Sequence, residues 1–192
     1  MAAAAPREGP PSVALLVDVD GVIAPYDLPG TERTGWPASS WRTAPVLFGM
    51  EITWSGAMVE RLARIAALPG VEPAWCTTWG FRAARYLGPA IGLGEDWPCL
   101  EGEGGGAFAV EGWWKADRAR EALATHAGVI WIDDLIDGWR DELAATGQPA
   151  PEFWPGGRLL TISPRPDRGI EPADLDEAAL FVHTVIPGSV AP

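Results

Sequence analysis

The sequence predicts an α/β fold, a three-layer α/β/α sandwich on a mainly parallel sheet. Short apolar runs at 13–17, 71–77 and 129–132 alternate with amphipathic stretches, which is the rhythm of strand–helix–strand units. The first run, Val13-Ala14-Leu15-Leu16-Val17, is apolar at every position, as a strand covered on both faces must be. Two of the runs then end in paired acids, Asp18 with Asp20 and Asp133 with Asp134. Open parallel sheets bind ligands at that edge.

Each element has its own signal. Gly21, free of the φ limits of other residues, turns the chain after the first strand. Residues 22–54 are rich in Pro, Gly and Thr, carry Trp36, Trp41 and Trp54, and contain a candidate hairpin around Gly49. Together they read as a flap. Ser55 is placed to cap a helix that buries Met58, Val59, Leu62, Ile65 and Ala66, and Pro69-Gly70 stops it. A second strand, 71–77, delivers Thr77 and Thr78 to its end. Residues 80–87 read as a helix broken by Gly88-Pro89, and 98–100 as a short third strand.

The run Gly102-Glu103-Gly104-Gly105-Gly106 lacks the Gly-Lys-Ser/Thr ending of a phosphate loop and reads as a connection. Glu101, Glu103 and Glu111 read as solvated. A helix over 115–126 leads to the fourth strand, 129–132. Ile136, Trp139 and Leu143 then mark a helix that Gly147 ends. A fifth strand, 158–162, precedes a last helix opened by Glu171-Pro172, with Leu175, Ala178, Ala179, Val182 and Ile186 inward. No linker or repeat divides the chain, so a single domain is expected over 13–188, after a disordered tail at 1–12.

Bulk composition narrows the partners. Of 192 residues, 47% are hydrophobic, enough for one real core. The 14 basic and 26 acidic residues give a net charge of −12, which disfavours non-specific binding to nucleic acid or anionic membrane. An RNA end as substrate is disfavoured on the same ground. Thirteen of the basic residues are Arg, so the one Lys, Lys115, draws notice. Cys76 and Cys99 lack metal-type spacing and read as free thiols in a reducing compartment. No apolar run is long enough to span a bilayer, and the N-terminus has no signal-peptide core. A cytoplasmic protein is expected.

Asp18 and Asp20, then Thr77, then Lys115, then Asp133 and Asp134 fall in order at or near the ends of successive elements. Carboxylates offer hard oxygen ligands for Mg²⁺, a hydroxyl and an ammonium suit phosphoryl oxygens, and one acid is left to attack while another moves the proton. Taken alone, Asp18 and Asp20 also fit a strand-end turn or the D-x-D of a nucleotide-sugar transferase. A receiver domain is excluded by order, because its acid pair comes first in the chain, whereas here the pair Asp133-Asp134 comes last.

The joint pattern resembles the haloacid dehalogenase-like (HAD) superfamily of phosphohydrolases over residues 13–138. Within it, Asp18-Val19-Asp20-Gly21-Val22-Ile23, Trp75-Cys76-Thr77-Thr78-Trp79 and Trp131-Ile132-Asp133-Asp134 are similar to the small HAD domains found beside RNA-repair enzymes. The resemblance implies a Rossmann-like, five-stranded HAD fold with a minimal cap, the flap alone. It implies Asp18 as nucleophile, forming an aspartyl-phosphate, and Asp20 as acid and then base. Thr77 and Lys115 would bind the phosphoryl group, with Thr78 either a packed turn residue or a further contact. Asp18, the Asp20 carbonyl and Asp134 would hold Mg²⁺, and Asp133 would act through a water. Asp137 fits a looser spacing of the last motif.

The expected substrate is a phosphorylated small molecule or a nucleotide. A non-catalytic phospholigand-binding module and a phosphotransferase are the alternatives. Trp36, Trp41, Trp54 and Trp79 are candidates for the site's mouth, whereas Trp75 and Trp131 belong to the core. His126 and His183 read as surface residues at helix ends.

Overall fold

The computed structural model describes residues 10–27, 33, 35–47, 49–93, 96–102, 113–148 and 158–188. Its centre is a four-stranded parallel sheet of β1 (Val13–Val17), β4 (Val71–Trp75), β5 (Gly128–Ile132) and β6 (Arg158–Ile162), in the order β4-β1-β5-β6. Alternate residues of the buried strands feed two cores. Val13, Leu15, Val17, Trp75, Ile130 and Ile132 face α1 (Gly56–Ala66) and α5 (Pro172–Val185). Ala14, Leu16, Ala74, Val129 and Trp131 face α3 (Trp114–Thr125) and α4 (Ile136–Ala145). Both faces are covered, which is why these strands are apolar throughout rather than alternating. The expected α/β three-layer fold is present.

Local signals behave as their chemistry requires. The Ser55 hydroxyl accepts the Met58 amide at 3.3 Å and caps α1, whose Met58, Val59, Leu62 and Ile65 are buried. Glu171 and Asp174 form a capping box at the start of α5, the Glu171 amide donating to Asp174 Oδ2 at 2.7 Å. The expected hairpin consists of β2 (Trp41–Leu47) and β3 (Met50–Ser55), which pair antiparallel as a separate two-stranded sheet. Ile52 and Trp54 carry its inner face into the first core.

Two expectations need correction. The strand expected at 98–100 is a single parallel bridge from Cys99 to Trp75, so the described sheet has four strands rather than five. Trp75 donates to the Pro98 carbonyl at 2.9 Å and accepts from Leu100 at 2.8 Å. There the ladder stops, because β4 ends at Trp75 and Pro98 has no N–H to extend pairing the other way. The expected helix over 80–87 is present, with Ala83–Leu87 wound as a π-helical turn in which Gly88 N–H reaches back to the Ala83 carbonyl. Gly88-Pro89 does not break it but starts a further short helix, α2 (Gly88–Ile91), with Pro89 in its first turn.

The Ser12 carbonyl accepts from Ala127 at 2.8 Å, so the ordered domain already includes Ser12, while residues 1–9 lie outside the described set. Glu103, Glu111 and Gly104 to Gly106 also lie outside it, as does part of the flap (28–32, 34 and 48). Cys76 and Cys99 are free thiols, and burial pushes the Cys76 thiol far up. Among the described residues, no helix is long and apolar enough to cross a membrane.

Candidate functional site

The chain moves from β1 to β4 on one side and later returns to β5 on the other. The connections therefore diverge between the C-terminal ends of β1 and β5. Backbone bonds carry the sheet past both ends. Asp18 N–H donates to the Ile132 carbonyl at 3.0 Å, and Asp133 N–H donates to the Ile162 carbonyl at 3.1 Å. Main-chain pairing thus fixes both aspartates before any side-chain chemistry.

Lys115, in the first turn of α3, closes the site from one side. Its ammonium donates to Asp18 Oδ2 at 2.5 Å and to Asp133 Oδ2 at 2.6 Å, with its own side chain 2% exposed. Burial works against that charge, but Asp18 and Asp133 outweigh it and hold the ammonium well above its ordinary range. Each acid is further fixed by one amide, Val19 to Asp18 Oδ1 at 2.7 Å and Leu135 to Asp133 Oδ1 at 3.0 Å. A carboxylate accepts about four such bonds, so lone pairs remain on both.

Oxygens of Asp18, Asp133 and Asp134 lie within 4.8 Å of one another. Three carboxylates against one ammonium leave two negative charges in excess. The electrostatics register the deficit. Asp133 is pushed up to about 7 by burial and then by Asp18, and Asp134 up to about 6 by the same two causes, with Lys115 opposing both. Hard oxygen donors in a cluster short of two positive charges are the donor set that suits a divalent cation such as Mg²⁺.

Gly21 has a second reason to be glycine. It sits at φ +70°, and a Cβ there would lie 2.5 Å from the Asp134 Cγ. The turn that follows β1 is therefore also the space Asp134 occupies. Val22, Ile23 and Ala24 all donate to the Val19 carbonyl at 2.9–3.2 Å, winding this segment tightly beside the cluster.

Asp20 stands apart from the three-carboxylate group. Its Oδ2 accepts the Trp79 indole N–H at 2.9 Å. Burial raises its pKa from the ordinary carboxylate value, Trp79 works the other way, and Asp18 adds to the rise. Thr77 is 2% exposed, and its hydroxyl oxygen accepts the Trp79 amide at 3.3 Å, leaving the hydroxyl proton to donate elsewhere. Thr78 is exposed and lines a cleft beside Trp79. Asp137 is an exposed residue of α4, 3.8 Å from Arg140 and outside the cluster.

Of the tryptophans expected at the mouth, Trp79 alone borders the acid pair. Trp54 is core, Trp36 donates to the Ile170 carbonyl at 2.7 Å, and Trp41 lies under Arg33. Trp75 and Trp131 are core, as expected. His126 ends α3 within 3.3 Å of Glu72, and His183 is exposed on α5.

Two site residues escape sequence reasoning. One is the Trp79 indole as partner of Asp20, for which the available signal was a tryptophan two places after Thr77 whose N–H needs an acceptor once buried. The other is Tyr26, 46% exposed, whose phenol is raised by burial and then by Asp134, Asp20 and Asp18. No periodicity or motif marks it. No family model, curated protein or solved structure matches this chain.

Proposed function

We propose that this protein is a Mg²⁺-dependent phosphomonoester hydrolase of the HAD type, working through an aspartyl-phosphate on Asp18. The supporting observation is the convergence of Asp18, Asp20, Thr77, Lys115, Asp133 and Asp134, drawn from four separate segments, around the end of β1. An ordinary surface has no reason to bury a lysine between two acids and leave the cluster two charges short.

Asp18, Asp134, Asp133 and the Asp20 carbonyl are the groups that would hold the ion. Bound there, Mg²⁺ would offset the negative charge of the cluster and of the phosphoryl oxygens. An oxygen of Asp18 attacks phosphorus as the bond from phosphorus to the leaving oxygen breaks, and Asp20 gives that oxygen a proton. The raised proton affinity of Asp20 suits the acid role. Asp20, now ionised and held by Trp79, takes a proton from the water that attacks the aspartyl-phosphate, which releases inorganic phosphate and restores Asp18. Lys115 holds and orients Asp18, and the Thr77 hydroxyl is free to donate to a phosphoryl oxygen.

The substrate class is a phosphorylated small molecule or nucleotide. The free thiols support a cytoplasmic setting. Purified protein with Mg²⁺ should hydrolyse p-nitrophenyl phosphate, and Asp18→Asn should reduce kcat by about a thousandfold or more while retaining the wild-type circular dichroism spectrum. Comparable turnover by the variant would remove Asp18 from its role.

A further inference from the structure

Beside Trp79, whose indole N–H holds Asp20, the surface opens into a cleft of about 310 Å³ lined by Leu47, Met50, Thr78, Trp79 and Arg82. Its size falls in the ~300–1,000 Å³ range usual for small-molecule sites. Leu47 and Met50 form the tip of the β2–β3 hairpin, where they pair across the turn. We infer that this cleft is the leaving-group subsite of the phosphatase proposed above, on which the inference rests, and that it takes a planar aromatic alcohol bearing a second anionic group.

Direction comes first. The group that protonates the leaving oxygen must lie on the leaving-group side of phosphorus, and Asp20 is bonded at 2.9 Å to the indole that forms the cleft wall. On the other side of Asp18 the site is closed by Lys115 and Asp133, which are 2% and 0% exposed. The leaving group therefore extends toward Trp79.

Chemistry comes second. The wall combines a tryptophan with Leu47 and Met50, and Met50 is 47% exposed at the hairpin tip. A thioether and an indole facing one cleft favour an aromatic ring, since both gain from contact with a π face. At the rim stands Arg82, exposed, with its guanidinium 5.4 Å from the Phe81 ring centre. No carboxylate among the described residues pairs with it. In a chain of net charge −12 an unspent guanidinium in a binding cleft points to an anionic ligand group. That group is additional to the transferred phosphoryl, which Lys115 and Thr77 serve.

The test compares kcat/KM for n-propyl, benzyl and 4-carboxybenzyl phosphate, whose alcohols are close enough in acidity for contact to dominate the differences. Wild type should prefer benzyl over n-propyl, and 4-carboxybenzyl over benzyl, by about five- to tenfold each. Met50→Ser should collapse the first ratio toward one, and Arg82→Gln the second. Both side chains are exposed, so neither change threatens the core, and circular dichroism checks this. Flat ratios in the wild type, or ratios that neither variant alters, would overturn the subsite even if p-nitrophenyl phosphate is turned over in an Asp18-dependent way. Failure to hydrolyse any of the esters, p-nitrophenyl phosphate included, would overturn the phosphatase reading and the subsite with it.

Discussion

Replacing Lys115 by Met keeps an unbranched side chain of similar bulk and removes one charge. In the wild type the ammonium is bonded at 2.5 Å and 2.6 Å to two acids whose side chains are 7% and 0% exposed. Deleting one partner from a buried ionic group costs about 3–5 kcal/mol, because the other charge is left uncompensated in a poor solvent. For a domain of this size each kcal/mol moves Tm by ~2–4 °C, so a drop of roughly 6–20 °C is expected where both acids are ionised. The cost also depends on pH. Asp133 is pushed up to about 7 by burial and by Asp18, with Lys115 pulling it down. Without Lys115 it must move higher.

A carboxyl group raised on folding stabilises the native state below its ordinary range and loses that contribution as pH rises through its folded value. The wild type therefore loses this term between about pH 4 and pH 7, and the variant loses a larger one over a window that opens at the same pH and closes higher. The gap in Tm between the two proteins should widen with pH. Thermal unfolding followed by circular dichroism in EDTA, at about pH 5 and about pH 8.5, measures it. A gap that is constant with pH, or a Tm within about 2 °C of wild type at both, would refute the claim that Lys115 compensates Asp18 and Asp133.

Three further outcomes follow from the same geometry. Asp133 and Asp134, raised to about 7 and about 6, destabilise the metal-free protein as pH rises through those values, and a divalent cation needs both ionised. Added Mg²⁺ should therefore raise Tm little near pH 5 and more by pH 8, and an equal rise at both would contradict the three-carboxylate site. Gly21→Ala puts a methyl group at φ +70° on top of the Asp134 carboxylate. It should cost about 1–3 kcal/mol in urea unfolding and weaken Mg²⁺ binding in calorimetry, whereas wild-type affinity would mean Asp134 is not a ligand. Trp79→Phe keeps an aromatic ring and removes the N–H bonded to Asp20. Because that bond lowers the proton affinity of Asp20, the limb of the kcat profile that reports Asp20 should move to higher pH. An unmoved limb would show that the indole does not tune the acid.

Much of this architecture was legible because its signals are local. Five apolar residues in a row make β1, Ser55 starts α1, and Glu171-Pro172 starts α5, each through contacts within a few residues along the chain. The order of the acids and Thr77 was legible as well, because strand ends in a parallel sheet share one edge, and Lys115 stood out as the one lysine of the chain. The failures share a cause too. At 98–100 a short segment beside Pro98 depends on an edge partner that ends at Trp75. Trp54 and Trp79 are both buried in the first core, and nothing in composition marks the one whose indole N–H also meets Asp20.

Sequence alone determined which residues would reach the C-terminal edge of the sheet, since period, caps and turns are properties of neighbouring residues. Tertiary structure alone decided what they do to one another there. Lys115 bridges Asp18 and Asp133, Asp134 fills the space that Gly21 leaves open, and Trp79 holds Asp20. Those contacts join side chains 18 to 113 positions apart. Their strength depends on burial and on distances of a few ångströms, and neither quantity exists until the layers have packed.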